Sequence, residues 1–488
     1  METREPKKGL QRQLTPAHVW SIAFGCIIGW GAFVNPGKKF LPNSGVDGTT
    51  IAMLLGAVVM VVIAFAYAYM VPRYPKAGGE FTFAKACFGR RTAFVCGWFL
   101  TAAYLTNVPM NSTAIGLIVD GLDGPADILK WGFHYQVAGF DVWCGEMLLA
   151  MGILIFFGWL NIIGVKKAGF IQTILAVMLA SSVFILAAAT LVSSSADMAN
   201  LAPHWGFDKA AAMAAGATTD TMGPFAHIGR QGILTAILAT FAITPWAFVG
   251  FETIPQAAEE FKFSHSKVML IMTIAILFGA FVYIANNYVA AVAVREWPDR
   301  VMAGEWVLLC AAENMLGTSG KILLGVAVSS AVLSGIMGFY LASSRLMFSM
   351  AREKYLPEIF ARVDERYGTP RNAILFCVLI SLSGPILGRE ALGWFVDMSA
   401  IGASIGFFFT GLSCAFTMKQ RNDGSAMLHT AATAGAAFSL LFIILQLVPI
   451  PGLPEVHFGK ESYLMLLAWI ILGTAFYTKL EKQLDNKQ

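Results

Sequence analysis

The chain reads as an all-α membrane protein of twelve transmembrane helices, and three observations predict this class. Of its 488 residues 57% are hydrophobic and 13% charged, against roughly 25% charged in an ordinary soluble domain. Apolar runs of about 20 residues, the length that crosses a hydrocarbon core as helix, recur along the whole chain. Two of these runs are interrupted near their middles, at Ile27-Ile28-Gly29-Trp30-Gly31-Ala32-Phe33 and at Thr244-Pro245-Trp246-Ala247-Phe248-Val249-Gly250-Phe251-Glu252.

The expected spans are 17–37, 49–71, 93–119, 146–164, 168–192, 232–254, 266–294, 319–350, 372–388, 390–417, 426–448 and 461–479. Residues 1–16 and 480–488 are then short tails, 17–417 hold a ten-helix core, and 418–479 add two helices. No removable leader is expected, because Arg4, Lys7, Lys8 and Arg12 precede the first span without a short apolar stretch and cleavage site. The longest loops are 121–145 and 193–231, and Ala210 to Ala215 in the second are candidates for a short surface helix.

In the first span Gly29 and Gly31 flank Trp30, and Asn35-Pro36-Gly37 is expected to end the helix, which puts the glycines near mid-depth. An unpaired backbone group in hydrocarbon costs several kcal/mol, so a helix opens there only where protein or a bound solute satisfies it. Unwound amides at Gly29 to Gly31 would face an anionic group; the competing reading is close packing, since Gly25 and Gly29 form G-x-x-x-G. The third span carries a polar stripe, Thr101, Tyr104, Asn107 and Asn111, at helical spacing.

In the sixth span Pro245 lacks an amide donor and Gly250 follows five residues on. An opening between them frees carbonyls that suit an ammonium group; the competing reading is a simple proline kink. Glu252 in the same span is costly, by about 2.5–3.5 kcal/mol, and so is a candidate proton carrier or a structural anchor. Asp397 in the tenth span is a second such candidate. Breaks in the first and sixth spans, five apart, predict two inverted five-helix repeats with the breaks facing each other.

The cations set the orientation. On one side of the expected topology the tails and loops hold 24 of the 34 Lys and Arg residues, which places both termini in the cytoplasm by the positive-inside rule. The net charge of +4 is dispersed over short loops, which excludes a nucleic-acid surface. Seven histidines make no i, i+4 pair and seven cysteines no C-x-x-C, so neither a metal site, a cofactor nor an enzyme is expected.

The stretches 27–37 (I-I-G-W-G-A-F-V-N-P-G), 74–83 (Y-P-K-A-G-G-E-F-T-F), 161–166 (N-I-I-G-V-K), 247–260 (A-F-V-G-F-E-T-I-P-Q-A-A-E-E), 344–357 (S-R-L-M-F-S-M-A-R-E-K-Y-L-P) and 368–373 (G-T-P-R-N-A) occur in this order. In them the chain resembles the amino acid-polyamine-organocation superfamily of permeases. The resemblance implies ten core helices in inverted repeats plus two more, and symport or antiport of amino acids or related amines across the cell membrane by alternating access. It implies that Ile28, Gly29, Trp30 and Gly31 hold the substrate carboxylate, that Trp246, Ala247, Phe248, Val249 and Gly250 hold the amino group, that Trp246 is a gate, and that Phe339 lines the same pocket.

Two departures from the family pattern stand out. Trp30 replaces a small residue; pointing inward it shrinks the pocket, pointing outward it leaves substrate size open. A fifth-helix lysine common in relatives falls on Leu179. Coupling then runs through H+ on Glu252, through Na+ near Ser330 and Ser334, which are one helical turn apart, or is absent in an exchanger. A nutrient receptor on the same scaffold is the alternative to a transporter. The substrate's identity and the oligomeric state are not encoded legibly.

Overall fold

The computed structural model describes residues 9–123, 127–137, 140–207, 232–388, 391–450 and 457–485; Ala210 to Ala215 lie outside them. The chain enters through Thr15, whose hydroxyl caps α1 (Pro16–Ile27) by accepting from His18 N, with Pro16 in the first turn where no amide donor is needed. After the break come α2 (Gly31–Asn35) and α3 (Leu41–Arg73). The predicted stop at Asn35-Pro36-Gly37 is corrected: Pro36–Phe40 form a wide π turn and the chain stays coiled. Such a turn accommodates a residue without an N–H. The reversal falls instead at Gly45, where φ is +64°.

The helices α4 (Gly79–Phe88), α5 (Arg90–Asp123), α6 (Cys144–Ile162) and α7 (Val165–Ala189) follow. Between α5 and α6 the expected loop contains a hairpin, β1 (His134–Val137) and β2 (Phe140–Trp143), in register His134 opposite Trp143. The sixth span is divided into α8 (Ile233–Phe241), α9 (Thr244–Ala247) and α10 (Thr253–Gln256). Next are α11 (Val268–Val292), the short α12 (Trp297–Met302) and α13 (Val307–Leu316), and α14 (Thr318–Arg352). The ninth span is α15 (Arg371–Ser381) and α16 (Gly384–Leu387), and α17 (Ala391–Arg421), α18 (Ala426–Leu447) and α19 (Lys460–Asp485) complete the chain.

Among the described residues nine helices are long and apolar enough to cross a membrane, and three shorter apolar helices are Pro16–Ile27, Val307–Leu316 and Arg371–Leu387. The first, sixth and ninth expected spans fall on broken or short pieces. The centre is α14, whose residues from Ser334 to Ala351 are buried without interruption; it packs on α1, α5 and α7, while α11 lies on α3 and α17 on α5 and α18. A helix apolar all round belongs in such a centre. By contrast Leu464, Leu467 and Ile471 of α19 stay exposed, as expected of a lipid-facing surface.

One end of the molecule is tied together by charge. Arg345 of α14 meets Glu260 at 2.8 Å (Nε to Oε1), both 1% exposed. The Glu260 carbonyl accepts from the amides of Gln13 and Leu14 at 2.9 Å, and Lys262 N donates to the Leu14 carbonyl at 2.9 Å. Arg352 holds Glu259, which also accepts from Ala77 N, and Lys85 pairs with Glu353. Removing one partner of a buried pair strands the other charge, at about 3–5 kcal/mol. Arg345→Ala is therefore expected to lower thermal stability in detergent strongly, and Arg345→Met with Glu260→Gln to recover most of the loss. A double variant no more stable than the single one would show that the ion pair is not the cause.

Candidate functional site

The two breaks pack on each other. Ile28 leaves the helix in an extended conformation (φ −98°, ψ 93°), and α2 starts again at Gly31. Among the described residues the amides of Gly29, Trp30 and Gly31 have no hydrogen-bond partner. Across from them α9 ends at Ala247, one turn after Pro245, and the chain is non-helical from Phe248 to Glu252. The opening thus lies slightly later than Pro245 alone indicates. Ala247, Phe248 and Val249 present carbonyls that accept no hydrogen bond among the described residues.

Glycine is required where the two breaks touch. Gly250 has φ +144°, and a Cβ there would lie 2.5 Å from Ile27 N and 2.7 Å from the Cys26 carbonyl carbon. A Cβ on Gly31 would collide with the Trp246 indole. Trp30 is buried at 8% exposure and its ring lies 6.2 Å from that of Trp246, tilted by 56°. Of the two orientations open to Trp30, the structure has the inward one, so two indoles meet over the glycine cradle.

Neighbouring helices supply the remaining polar partners. From α11, Tyr283 Oη donates to the Ile27 carbonyl at 3.3 Å and Asn286 Nδ2 to the Ala32 carbonyl at 2.9 Å. Ser334 Oγ reaches the Gly25 carbonyl at 3.3 Å, and Gln172 Nε2 that of Ser21 at 3.1 Å. Tyr104 Oη donates to the Glu252 carbonyl at 3.3 Å, and its ring lies 6.2 Å from Phe339. Asn111 Oδ1 faces Gly29 without a partner of its own. Glu252 is fully buried; its Oε2 accepts from Gly250 N at 2.8 Å and its Oε1 has no partner.

The other candidate residues lie elsewhere. Thr101 bonds the Gly97 carbonyl within its own helix, and Asn107 reaches Ser399 of α17 at 2.6 Å. Ser330 lines a groove with Leu122, Leu175 and Leu333, whereas Ser334 turns to α1. Asp397 accepts from Ser462 at 2.6 Å and so ties α17 to α19. Leu179 is buried. Sequence reasoning missed Tyr283, Asn286, Gln172, Gln256 and Glu80. For Asn286 the signal was present, an Asn-Asn pair in an otherwise apolar helix; the others carried none that separates them from a solvated or packing residue.

The model of the amino acid permease family matches residues 14–476. The chain belongs to that family. Cationic amino acid transporter 3, mitochondrial, of Arabidopsis thaliana is 26% identical over 425 residues, covering 86% of this chain and 62% of that protein. Large neutral amino acids transporter small subunit 2 of Rattus norvegicus is 28% identical over 378 residues, 76% of this chain and 64% of its own. The branched-chain amino acid permease BcaP of Bacillus subtilis is 23% identical over 489 residues, 96% of this chain and 93% of its own. The chain spans about three-fifths of the length of the plant relatives it matches.

Because Gly250 combines a left-handed φ with backbone contact, Gly250→Ala should cost at least about 1–3 kcal/mol from conformation alone. Thermal unfolding of the purified permease reads this directly. An unchanged midpoint would mean that the two breaks are not in contact in solution.

Proposed function

We propose that this permease is a secondary active transporter of amino acids, with twelve membrane-crossing helices in which the first ten form two inverted repeats. The observation that carries the reading is the backbone left open at the two breaks: the amides of Gly29, Trp30 and Gly31 on one, and the carbonyls of Ala247, Phe248 and Val249 on the other, have no partner among the described residues. That arrangement suits a zwitterion, whose carboxylate takes the amides of Gly29, Trp30 and Gly31 and whose ammonium takes the carbonyls of Ala247, Phe248 and Val249. The relatives' names support amino acids as the substrate class.

Trp30 and Trp246 narrow the space over the cradle, which supports a substrate with a small side chain. Phe339 packs on Tyr104, which bonds the Glu252 carbonyl at the second break. The distribution of Lys and Arg supports cytoplasmic termini in a cell membrane. Counterflow of radiolabelled L-alanine, L-leucine and L-arginine in liposomes tests the reading; binding detected by thermal shift with no counterflow would favour a receptor instead.

Removing one indole opens the pocket. Trp30→Ser should raise the relative uptake of large side chains such as L-phenylalanine by about tenfold or more, the scale of a few methylenes of fit. A substrate profile unchanged from wild type would place the size limit elsewhere.

A further inference from the structure

The fold gathers cations that the sequence scatters. Arg12 precedes α1, Lys166 and Lys167 open α7, Lys262 follows α10 and Lys267 precedes α11. Lys262 N donates to the Leu14 carbonyl at 2.9 Å, which sets the lead into α11 beside the start of α1. A Cβ on Gly169 would lie 3.0 Å from the His18 ring, which sets the start of α7 against the first turn of α1. α11 packs on both α1 and α7. Three helix starts therefore share one corner, and each adds the positive end of its dipole.

No acid on these elements answers the charge. All five cations are exposed, and the ion pairs among the described residues include none of them. Residues 9–46, 147–196 and 261–295 contain neither Asp nor Glu. Glu259 and Glu260, just before Lys262, are held by Arg352 and Arg345. The loop that packs on Gln11 brings Asp364 and Glu365 but also Arg362, Arg366 and Arg371, so it adds no net negative charge. One turn inward the same helices become apolar yet stay exposed, at Phe170 and Ile174 on α7 and at Leu270 and Ile274 on α11.

A surface that is cationic at its edge and apolar immediately below it fits an amphiphile with an anionic head. Basic residues directly beside the membrane end of a helix attract anionic lipid. We propose that this corner is a docking surface for anionic phospholipids of the leaflet at this end, the cytoplasmic one in the orientation proposed above. Their phosphates lie among Arg12, Lys166, Lys167, Lys262 and Lys267, and their acyl chains run along Phe170, Ile174, Leu270 and Ile274. A soluble anion would use the cations and leave the apolar faces bare. Because Arg12 and Lys262 flank the bridge between the residues before α1 and those after α10, lipid held here acts on both broken helices.

The test uses the full chain in detergent with phosphatidylglycerol and phosphatidylcholine added in equal amounts, the retained lipids being counted by native mass spectrometry. The wild type should retain phosphatidylglycerol in preference, and the preference should weaken as salt is raised. Lys166→Gln, Lys167→Gln and Lys267→Gln together should cut it by about tenfold or more, since one basic residue near a charged surface is worth about fivefold. Lys419→Gln, Arg421→Gln and Lys479→Gln, which remove as many exposed charges outside this corner, should leave it nearly unchanged. A wild type without preference, a preference that survives the first set, or an equal loss in the second would each overturn the proposal. Phosphatidylglycerol with a photoreactive group in its acyl chain gives a measurement on the wild type alone. Labelling should centre on 170–174 and 270–274, and labelling spread evenly over the exposed apolar helices would overturn the proposal even if the variants fail to fold. None of these readouts depends on transport.

Discussion

The structure depends on one constraint: a helix opened inside an apolar interior must find partners for the backbone groups it frees. This protein opens two helices side by side and satisfies them unequally. The carbonyls around the first break are served by Tyr283, Asn286 and Ser334, which lie on α11 and α14. At the second break the Gly250 amide is taken by Glu252 and the Glu252 carbonyl by Tyr104. Among the described residues the amides of Gly29, Trp30 and Gly31 and the carbonyls of Ala247, Phe248 and Val249 have no partner, and neither do the Ile28 carbonyl and the Phe251 amide. In the transport reading proposed above, a zwitterion would complete amides and carbonyls at once, and the groups that make the fold costly would then make the site selective.

The two breaks approach each other at backbone distance. Gly250 in the left-handed region brings the second break against the end of α1, and Gly31 makes room for the Trp246 indole. Trp30 then adds bulk above the cradle through its indole, while its amide is one of the open groups of the cradle itself. In the reading proposed above, size selection and charge selection are carried by different parts of the same few residues.

The breaks were legible in the sequence because glycine and proline punctuate an apolar run whatever surrounds it. The turn after the first helix was not: Pro36 reads as a stop, yet a proline needs no amide partner and the wide π turn at Pro36–Phe40 carries the chain past it. Glu252 was legible because its cost follows from lying in a span. Glu80 was hidden, since it stands between two spans among Lys76 and Lys85, where an acid looks solvated. It is buried by the packing of α5, α17, α10 and α14 on α4, with Tyr67 of α3 bonded to its carboxylate. Spacing alone also put Thr101, Tyr104, Asn107 and Asn111 on one stripe, but only Tyr104 and Asn111 reach the breaks. A helix turns by about 100° per residue, so a stripe of that length fans across two neighbours and Asn107 ends on α17.

The two broken helices are joined a second time at the charged end. The residues before α1 and those after α10 form a short parallel bridge, Leu14 beside Phe261, and Glu260 in that segment is paired with Arg345 of α14. A buried ion pair gains little net stability, because desolvation offsets its attraction, but it is strongly specific in geometry. It is therefore suited to holding one arrangement of helices without making it permanent. Movement of either broken helix must carry the other with it or separate from α14. The packing at this end and the geometry of the two breaks are in consequence one mechanical problem.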